Sequence, residues 1–281
     1  MPVDLNALHD LLRTGPLTVL TGAGISTDSG IPDYRGPKTR HIARNPIQHD
    51  DFVRHPEARR RYWSRASRGF VNVDEAVPNA SHRALAQLEQ GGHIEGIITQ
   101  NVDGLHQRSG SRKVIELHGT LHKVCCLACA KTYERAEVQG QIEQDNPGWI
   151  RPTAAVAPDG DAELVAAEYA RFKEPRCVQC SGPLMPDVVF FGGAVPKMRS
   201  QAAYDMVAGS QGLLVLGSSL TVYSGYRFVR FAERLELPIA IVTLGETRGD
   251  KHACCKVDAP LCEVLPALAQ QLCPAQELRA S

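Results

Sequence analysis

The chain has 281 residues, which is enough for one large domain that carries a smaller inserted one. Lysine and arginine together number 31, and aspartate and glutamate together also number 31, so the formal net charge is zero. This balance excludes a long-range attraction to polyanions, and no apolar run is as long as a membrane span. We therefore expect no specific nucleic-acid partner and no membrane partner.

The chain opens with "MPVDLNALHDLLRTG", which has the pattern of a short amphipathic helix. This segment has neither the apolar core of a signal peptide nor the arginine-rich, acid-poor composition of a transit peptide. The sequence therefore predicts a cytoplasmic protein.

Six apolar runs bounded by glycine or polar turns predict short buried strands. They begin at Leu17, Ile94, Lys113, Pro186, Gly212 and Leu237. Helix patterns lie between many of them, among them "YSGYRFVRFAERLE" and "NASHRALAQLEQGG", in which Asn79 is a candidate N-cap and Gly91 a stop signal. This alternation predicts an α/β fold with a doubly wound parallel sheet, which binds ligands at the carboxyl ends of its strands.

Two regions interrupt this alternation. Residues 37–70 are rich in arginine and histidine and contain the helix pattern "RHPEARRRYWSRASRGF", and residues 121–185 contain paired cysteines within a polar segment. We assign both regions to a smaller domain inserted into the sheet domain. The large domain would then comprise residues 1–36, 71–120 and 186–281.

The first strand runs into the stretch "TGAGISTDSGIPDYRG", residues 21–36. Gly22 and Gly24 allow a tight turn and a close approach of the backbone to a pyrophosphate, whose charge would then meet a helix N-terminus. Thr27 stands where the third glycine of a GxGxxG motif would be, so an ordinary strand-to-helix bend remains an alternative. The loop continues with Asp33, Tyr34 and Arg35, which a phosphate cradle alone does not require.

The chain also contains two CxxC pairs, "CLAC" and "CVQC", within a total of nine cysteines. Their cysteines are Cys126, Cys129, Cys177 and Cys180. Four thiolates complete a tetrahedral zinc site without an open position, which indicates one structural zinc ion per chain rather than a catalytic one. Redox chemistry is the alternative, and two matched pairs favour the metal. Cys125 precedes Cys126 directly, but only Cys126 gives the two-residue spacer.

Polar residues follow two of the predicted strands. The stretch "TQNVDGLH" places Gln100, Asn101 and Asp103 at a strand end, where their amide and carboxylate groups suit a carboxamide or ribose hydroxyls. The stretch "ELHG" places His118 after the next strand. An imidazole whose ordinary pKa is about 6.5 accepts a proton at neutral pH, so His118 is the best candidate for a general base among ten histidines.

Taken together, these stretches resemble the sirtuin family of NAD-dependent protein deacylases. The matching motifs are "GAGIS" with "GIPDYR", "TQNVDGLH", "ELHG", the two CxxC pairs, "PDVVFFG", "GSSL" and "TLG", in this order over nearly the whole chain. The stretches "PIQHDDFVR", "RYWSR", "CVQC", "PDVVFFG" and "VYSGYRF" resemble the class II branch, which contains the fourth human sirtuin and bacterial relatives.

The resemblance implies a Rossmann-type large domain, a small zinc-binding and helical domain, and a cleft between them in which NAD meets an acyl-lysine protein or peptide. It implies that His118 is the catalytic base and that Asn101 belongs to the catalytic set. The residues that it implies for NAD binding are Gly22, Ala23, Gly24, Ser26, Asp33, Tyr34, Arg35, Gln100, Asn101, Asp103, Gly217, Ser218, Ser219, Thr243, Gly245 and Leu261. Among them, Asp33, Tyr34 and Arg35 would lie on a mobile cofactor-binding loop.

The reaction that the resemblance implies consumes NAD. Nicotinamide leaves, the amide oxygen of the substrate captures C1′ of the ribose to give an alkylimidate, and His118 helps to deprotonate a ribose hydroxyl that attacks this intermediate. The products are free lysine and O-acyl-ADP-ribose. The zinc ion takes no part, because its four thiolates leave no site for a substrate.

Several residues depart from the family pattern. Thr243 stands where asparagine is common, and Gly193 stands where glutamate is common after "FFG". Members that remove succinyl groups carry a YxxR pair shortly after the cofactor loop, and "RGPKTRHIARNP" contains no such pair. We therefore expect weak desuccinylation.

Two other functions remain alternatives. A protein mono-ADP-ribosyltransferase would use the same activated cofactor but would transfer it to a side chain. A zinc-ribbon module would sense NAD or bind nucleic acid through "RHPEARRRYWSRASR". The other interpretation of that stretch is a solvated helix face with Tyr62 and Trp63 packed inward, which the neutral net charge favours.

Overall fold

The computed structural model describes residues 5–33, 46–150 and 169–274. Tyr34 and Arg35 of the predicted NAD set lie outside the described residues, as does most of the stretch "RGPKTRHIARNP". Within the described residues, the strands are β1 Leu17–Thr21, β2 Ile94–Thr99, β3 Val114–Glu116, β4 Gly119–Cys126, β5 Thr132–Glu134, β6 Leu184–Val188, β7 Leu213–Leu216, β8 Ile239–Val242 and β9 Cys255–Val257.

The helices of the described residues are α1 Asn6–Thr14, α2 His49–Arg54, α3 Pro56–Glu75, α4 Ala80–Gln90, α5 Leu105–Arg108, α6 Arg135–Asp145, α7 Lys197–Ala208, α8 Tyr223–Arg234 and α9 Leu261–Leu272. No helix in these ranges combines the length and the apolar character that crossing a membrane requires.

The main sheet has six parallel strands in the order β3-β2-β1-β7-β8-β9. The chain builds one half outward from β1 and then returns to build the other half from β7, so the strand order reverses between β1 and β7. This is the topological switch point at which doubly wound sheets bind ligands. The predicted α/β fold with a Rossmann-type parallel sheet is confirmed.

Helices cover both faces of this sheet. Apolar side chains of α1, α4 and α9, such as Leu12, Leu88 and Leu265, form one core against it. Side chains of α7 and α8, such as Val207 and Phe228, form the other core. Every residue of β1, β7 and β8 is buried, because both faces of these strands lie against helices.

The second sheet is antiparallel and has the strand order β5-β4-β6. The apolar run from Pro186, which we expected among the parallel strands, lies in β6 and pairs with β4 instead, with Leu184 opposite Cys126. An apolar run indicates that a strand is buried, but it does not indicate which sheet the strand joins. The boundaries of the two domains stay predictions.

The arginine-rich stretch forms α3, as predicted. Tyr62 and Trp63 are 4% and 0% exposed, so both aromatic rings pack inward. The indole nitrogen of Trp63 donates a hydrogen bond of 3.0 Å to the carbonyl of Leu184, which joins α3 to β6. The core between α3 and the antiparallel sheet also contains Phe52 and Val124.

Helix α4 begins and ends where the sequence predicts. The side chain of Asn79 accepts hydrogen bonds from the backbone nitrogens of Ser81 and His82, and Gly91 follows the last helical residue.

The residues that follow the glycine turn do not form the α-helix that we expected there. β1 is followed by two 3₁₀ turns, Ala23–Ile25 and Thr27–Ser29, instead of an α-helix. The second turn ends at Gly30, whose φ of 84° lies in the left-handed region. A pyrophosphate at Gly22 and Gly24 would therefore meet a 3₁₀ turn and not the N-terminus of an α-helix.

Candidate active site

A cavity of about 1050 Å³ opens at the carboxyl ends of β1, β2 and β7 and extends to the segment after β6. The predicted site residues that line it are Gly22, Ala23, Gly24, Ser26, Asp33, Gln100, Asn101, Asp103, His118, Gly217, Ser218, Ser219, Thr243 and Leu261. Gly245 is not among the lining residues, although its neighbours Leu244 and Glu246 are. The sequence therefore identified groups from six separate segments that meet at one cleft.

The glycine turn contacts the loop after β7 at the switch point. The backbone nitrogen of Gly24 donates to the carbonyl of Gly217 at 2.9 Å. A Cβ on Gly24 would lie 2.8 Å from that oxygen and 2.9 Å from the Cα of Gly217, and Gly217 itself has a φ of 59°. The glycines are thus required for contact between the two loops, in addition to any approach of a phosphate.

A hydrogen-bond chain fixes the side chains after β2. Nδ2 of Asn101 donates to the carbonyl of Gly22 at 3.2 Å and to Oγ of Ser26 at 3.1 Å. Oγ of Ser26 donates to Oδ2 of Asp103 at 2.7 Å, and Oδ1 of Asp103 accepts from the nitrogen of Leu105. Both donor hydrogens of Asn101 are thereby used, so its Oδ1 is the atom left to accept a hydrogen bond from a ligand.

Gln100 joins the ends of three strands. Its backbone nitrogen donates to the carbonyl of Thr21 at 3.0 Å, and its Nε2 donates to Oγ of Ser218 at 2.9 Å. These bonds fix the backbone carbonyl of Gln100, which is the partner of His118.

His118 is hydrogen-bonded at both ring nitrogens. Nδ1 lies 2.9 Å from the carbonyl oxygen of Gln100, and Nε2 lies 2.7 Å from Oγ of Ser224. Burial lowers the pKa of His118, and the positive charge of Arg227 lowers it further, against the opposing effect of the Gln100 carbonyl. The imidazole is therefore neutral at neutral pH, which is the state that a general base needs.

Three residues of α8 at the site were not predicted from the sequence. Ser224 bonds His118, Arg227 lines the cleft, and a Cβ on Gly225 would lie 2.5 Å from Oε1 of Gln100. The only signal for them was a small Ser-Gly pair at a helix start shortly after "GSSL", and that pattern is too short to predict a contact with residues more than a hundred positions away.

The structure gives a physical reason for Gly193. Its nitrogen donates to the carbonyl of Phe190 at 2.9 Å in a tight turn. A Cβ on Gly193 would lie 3.0 Å from that carbonyl oxygen and 3.4 Å from the Cβ of His49. His49 thus lies where a larger residue at this position would need space.

A YxxR pair does occur in the chain, outside the stretch "RGPKTRHIARNP". Tyr62 and Arg65 have this spacing on α3. Tyr62 lines the cleft and Arg65 does not, and among the described cleft-lining residues the arginine is Arg227.

The four predicted zinc ligands converge. The sulfur atoms of Cys126, Cys129, Cys177 and Cys180 all lie within 4.8 Å of one another. A zinc ion with Zn–S bonds of about 2.3 Å requires tetrahedral sulfurs about 3.8 Å apart. The separations of 3.5 Å for Cys126–Cys180 and 3.6 Å for Cys129–Cys177 are close to this value, so the cluster fits a structural zinc.

The two CxxC loops have the same backbone geometry. The nitrogen of Ala130 donates to the carbonyl of Cys126 at 3.0 Å, and the nitrogen of Ser181 donates to the carbonyl of Cys177 at 2.8 Å. Ala130 and Ser181 share a φ of 59°, which is uncommon for residues other than glycine. Such paired knuckles present both cysteines of each loop to one point and favour a metal over redox chemistry.

The Sir2 family model matches residues 22–224. NAD-dependent protein deacetylase 1 of Mycobacterium avium (strain 104) is 51% identical over 263 residues, which cover 92% of each chain. The human NAD-dependent protein lipoamidase sirtuin-4, mitochondrial, is 44% identical over 274 residues, which cover 95% of this chain and 87% of that protein.

A solved structure described as "Sir2-p53 peptide-NAD+" superimposes with a TM-score of 0.76 at 35% identity, and the match covers 95% of this chain and 98% of that one. Together with the cleft, the histidine that follows β3 and the four-cysteine cluster, these similarities show that the chain belongs to the Sir2 family, the sirtuins.

Proposed function

We propose that this protein is an NAD-dependent protein-lysine deacylase, which releases nicotinamide and transfers the acyl group to ADP-ribose. The observation that carries the proposal is the neutral imidazole of His118, held at the edge of the same cleft as the glycine turn and Asn101. Relatives named as deacetylases, deacylases and lipoamidases, and a related structure that contains a peptide and NAD+, support the same activity.

The residues of the cleft have different roles in the proposed reaction. NAD supplies a ribose carbon that becomes electrophilic when nicotinamide leaves. The cleft is lined by Gly22, Gly24 and Gly217, where backbone can approach a diphosphate, and Oδ1 of Asn101 accepts a hydrogen bond from a bound group. Nε2 of His118 is the atom that takes up the proton of a ribose hydroxyl.

The four cysteines would hold a zinc ion outside this chemistry. Their thiolates fill a tetrahedral set and leave no position for a water molecule or a substrate oxygen. The ion would join the loop after β4 to the loop before β6. We expect it to stabilise the antiparallel sheet and not to activate a reactant.

We further propose that the enzyme prefers an uncharged acyl group over succinyl. Tyr62 lies in the cleft among aromatic rings, with its ring centroid 5.4 Å from that of Phe52 and 5.1 Å from that of Phe190. Arg65, one helical turn along α3, is not a cleft-lining residue. An apolar wall without a paired arginine favours an uncharged chain, because a buried carboxylate needs a partner.

The arginine-rich helix α3 serves the fold more than a nucleic-acid surface. Arg59 is buried and donates to the carbonyls of Phe52 and Val53, and its Nε lies 3.5 Å from a carboxylate oxygen of Glu174. Arg68 stacks on the ring of Trp149. Such internal contacts reduce the positive charge that α3 presents to a polyanion, and they count against the alternative of a nucleic-acid module.

We also propose a cytoplasmic location. None of the nine cysteines, all of which lie in the described residues, forms a disulfide, and thiol ligands for zinc persist in a reducing compartment. Imaging of a fluorescent fusion protein checks this proposal, and a signal confined to an oxidising compartment would contradict it.

The deciding experiment is mass spectrometry of the products from NAD and a mixed library of acyl-lysine peptides, with the parent protein and His118→Ala. We expect O-acyl-ADP-ribose and nicotinamide from the parent only. Equal net release of nicotinamide by both proteins would contradict the role of His118. ADP-ribose attached to protein side chains without O-acyl-ADP-ribose would favour the mono-ADP-ribosyltransferase instead. Fastest turnover of succinyl-lysine would contradict the proposed acyl preference.

A further inference from the structure

Ser224 is the second hydrogen-bond partner of His118. Its Oγ lies 2.7 Å from Nε2 of the imidazole and lines the cleft. Ser224 belongs to the first turn of α8, 106 residues after His118 in sequence. None of the motifs from which the site was predicted contains it in a catalytic role.

The other contact of the imidazole fixes the position of its proton. Nδ1 lies 2.9 Å from the carbonyl oxygen of Gln100, and a carbonyl can only accept, so Nδ1 carries the hydrogen. In the neutral ring Nε2 is then the unprotonated nitrogen. The hydroxyl of Ser224 must therefore donate its hydrogen to Nε2.

The basic atom of His118 is thus already occupied. A ribose hydroxyl can reach Nε2 only if it displaces Ser224, or it can pass its proton through Ser224. In the part of the chain that the structure describes, His118 is the hydrogen-bond partner of this hydroxyl. The lone pairs of Oγ are therefore able to accept a hydrogen bond from a group bound in the cleft.

The packing of α8 holds the serine in place. Gly225 allows the helix to lie against Gln100, because a Cβ there would be 2.5 Å from Oε1 of Gln100. Nε of Arg227 donates to the carbonyl of Ser224 at 3.1 Å. The close contact at Gly225 and the bond from Arg227 thus hold the backbone that carries Ser224 beside His118.

We propose that Ser224 is a catalytic residue that relays the proton of a ribose hydroxyl to His118, an inference that rests on the proposed deacylase function. The ribose O–H bond breaks as a new O–H bond forms at Oγ of Ser224. At the same time the original Ser224 O–H bond breaks, and its proton forms a bond to Nε2 of His118. The ribose oxygen keeps the electron pair for its attack, Ser224 ends neutral, and the imidazolium holds one proton for the departing lysine amine.

The test measures the two halves of the reaction separately, in the variants Ser224→Ala and Ser224→Thr. Exchange of labelled nicotinamide into NAD reports cleavage of the cofactor, and formation of O-acyl-ADP-ribose reports the step that needs the base. We expect Ser224→Ala to lower kcat for O-acyl-ADP-ribose by about tenfold or more, with KM for NAD and nicotinamide exchange within about twofold of the parent. Ser224→Thr, which keeps a hydroxyl, restores most of the rate.

Ser200→Ala is the matched control, because it removes a hydroxyl from Arg227 without touching His118. We expect it to behave as the parent. Parental kcat in Ser224→Ala would overturn the relay, and so would an equal loss of exchange and deacylation, which indicates a purely structural role. A parent protein that releases no nicotinamide with any acyl-lysine peptide would instead refute the proposed function.

A second measurement needs no turnover. In the cofactor-free protein we expect ¹⁵N NMR to show a proton on Nδ1 of His118 and a hydrogen-bonded, unprotonated Nε2. Ser224→Ala should shift the Nε2 signal and leave Nδ1 protonated, and Ser224→Thr should restore the signal. A parent protein with its proton on Nε2, or an Nε2 signal unaffected by Ser224→Ala, would overturn the inference.

Discussion

The side-chain amide of Asn79 donates a hydrogen bond of 2.8 Å to the carbonyl of Ile25. The same side chain caps α4, because its Oδ1 accepts from the nitrogen of Ser81 at 2.9 Å. Nδ2 also donates to Oγ of Ser29. Asn79 therefore joins the start of α4 to the two 3₁₀ turns that follow the glycine turn, and it supports the cofactor side of the cleft from beneath.

Asn79→Ser should separate these two roles. Serine is a good N-cap but is too short to reach Ile25, so we expect the cap of α4 to be kept and NAD binding to be weaker. Loss of the bond to Ile25 should lower the free energy of unfolding by about 1 kcal/mol, and the same energy, if NAD has to restore the order of the loop, corresponds to about a fivefold higher KM for NAD. Asn79→Ala should show the same KM and should lower the free energy of unfolding by about a further 1 kcal/mol, because the cap is also lost. Urea unfolding and steady-state kinetics measure the two effects, and a parental KM in both variants would contradict the link to the cofactor loop.

Gly24→Ala should damage the switch point. The added Cβ would lie 2.8 Å from the carbonyl oxygen of Gly217, a backbone atom that cannot move without displacing the loop after β7. We expect a loss of about 1–3 kcal/mol in the free energy of unfolding and weaker NAD binding by calorimetry.

Gly140→Ala is the matched control for this glycine substitution. Gly140 lies within α6, and a Cβ there would meet no atom within 4 Å. Alanine favours the helix by about 0.5–1 kcal/mol, so this variant should be more stable than the parent and should bind NAD equally well. Equal behaviour of the two variants would refute the close contact at Gly217.

The sequence predicts the features that depend on neighbours along the chain. Local patterns predict the strand ends that carry Gln100 and His118, the N-cap at Asn79 and the convergence of the two CxxC pairs. Each of these patterns is typical of one backbone conformation or one set of ligands. Contacts between distant segments leave no such pattern. For this reason the run from Pro186 was wrongly expected in the parallel sheet, whereas β6 pairs with β4. The hydrogen bond between Ser224 and His118 was not predicted either.

Cys177→Ser should remove the zinc ion. Cys177 is 2% exposed and belongs to the four-sulfur cluster, so a hydroxyl there replaces a thiolate that the ion requires. We expect metal analysis to fall from one zinc per chain to none, with a lower Tm. Cys125→Ser is the control, because burial raises the pKa of the Cys125 thiol and its sulfur lies outside the cluster. Loss of zinc from the Cys125 variant would contradict the assigned ligand set.

Two histidines, His82 and His106, are buried beneath the cleft. The rings of His82 and His106 lie 5.0 Å apart, and Nε2 of His82 and Nδ1 of His106 have no hydrogen-bond partner among the described residues. Burial lowers the pKa of His82 to about 4, with the charge of Arg83 acting in the same direction and that of Asp103 opposing it. Burial and the neighbouring His82 hold the pKa of His106 well below its usual range.

The sign of the effect follows from proton binding. An unfolded histidine has a pKa of about 6.5, so below that pH the unfolded chain binds protons that the folded chain does not. The free energy of unfolding should therefore be constant with respect to His82 above about pH 6.5 and should fall as the pH falls toward 4. For His82 alone the loss at pH 4 is on the order of 3 kcal/mol.

Urea unfolding between pH 7.5 and pH 4.5 measures this loss in the parent and in His82→Gln. The variant removes one titrating group, so its free energy of unfolding should depend less steeply on pH, even if it is less stable at pH 7.5 because the backbone bond from Asn79 to the imidazole is lost. His55→Gln, which removes an exposed histidine, is the control for the loss of an imidazole at the surface. Parallel pH profiles for the parent and His82→Gln would contradict a lowered pKa of His82, because the slopes are equal only when this imidazole binds protons equally in the folded and the unfolded chain.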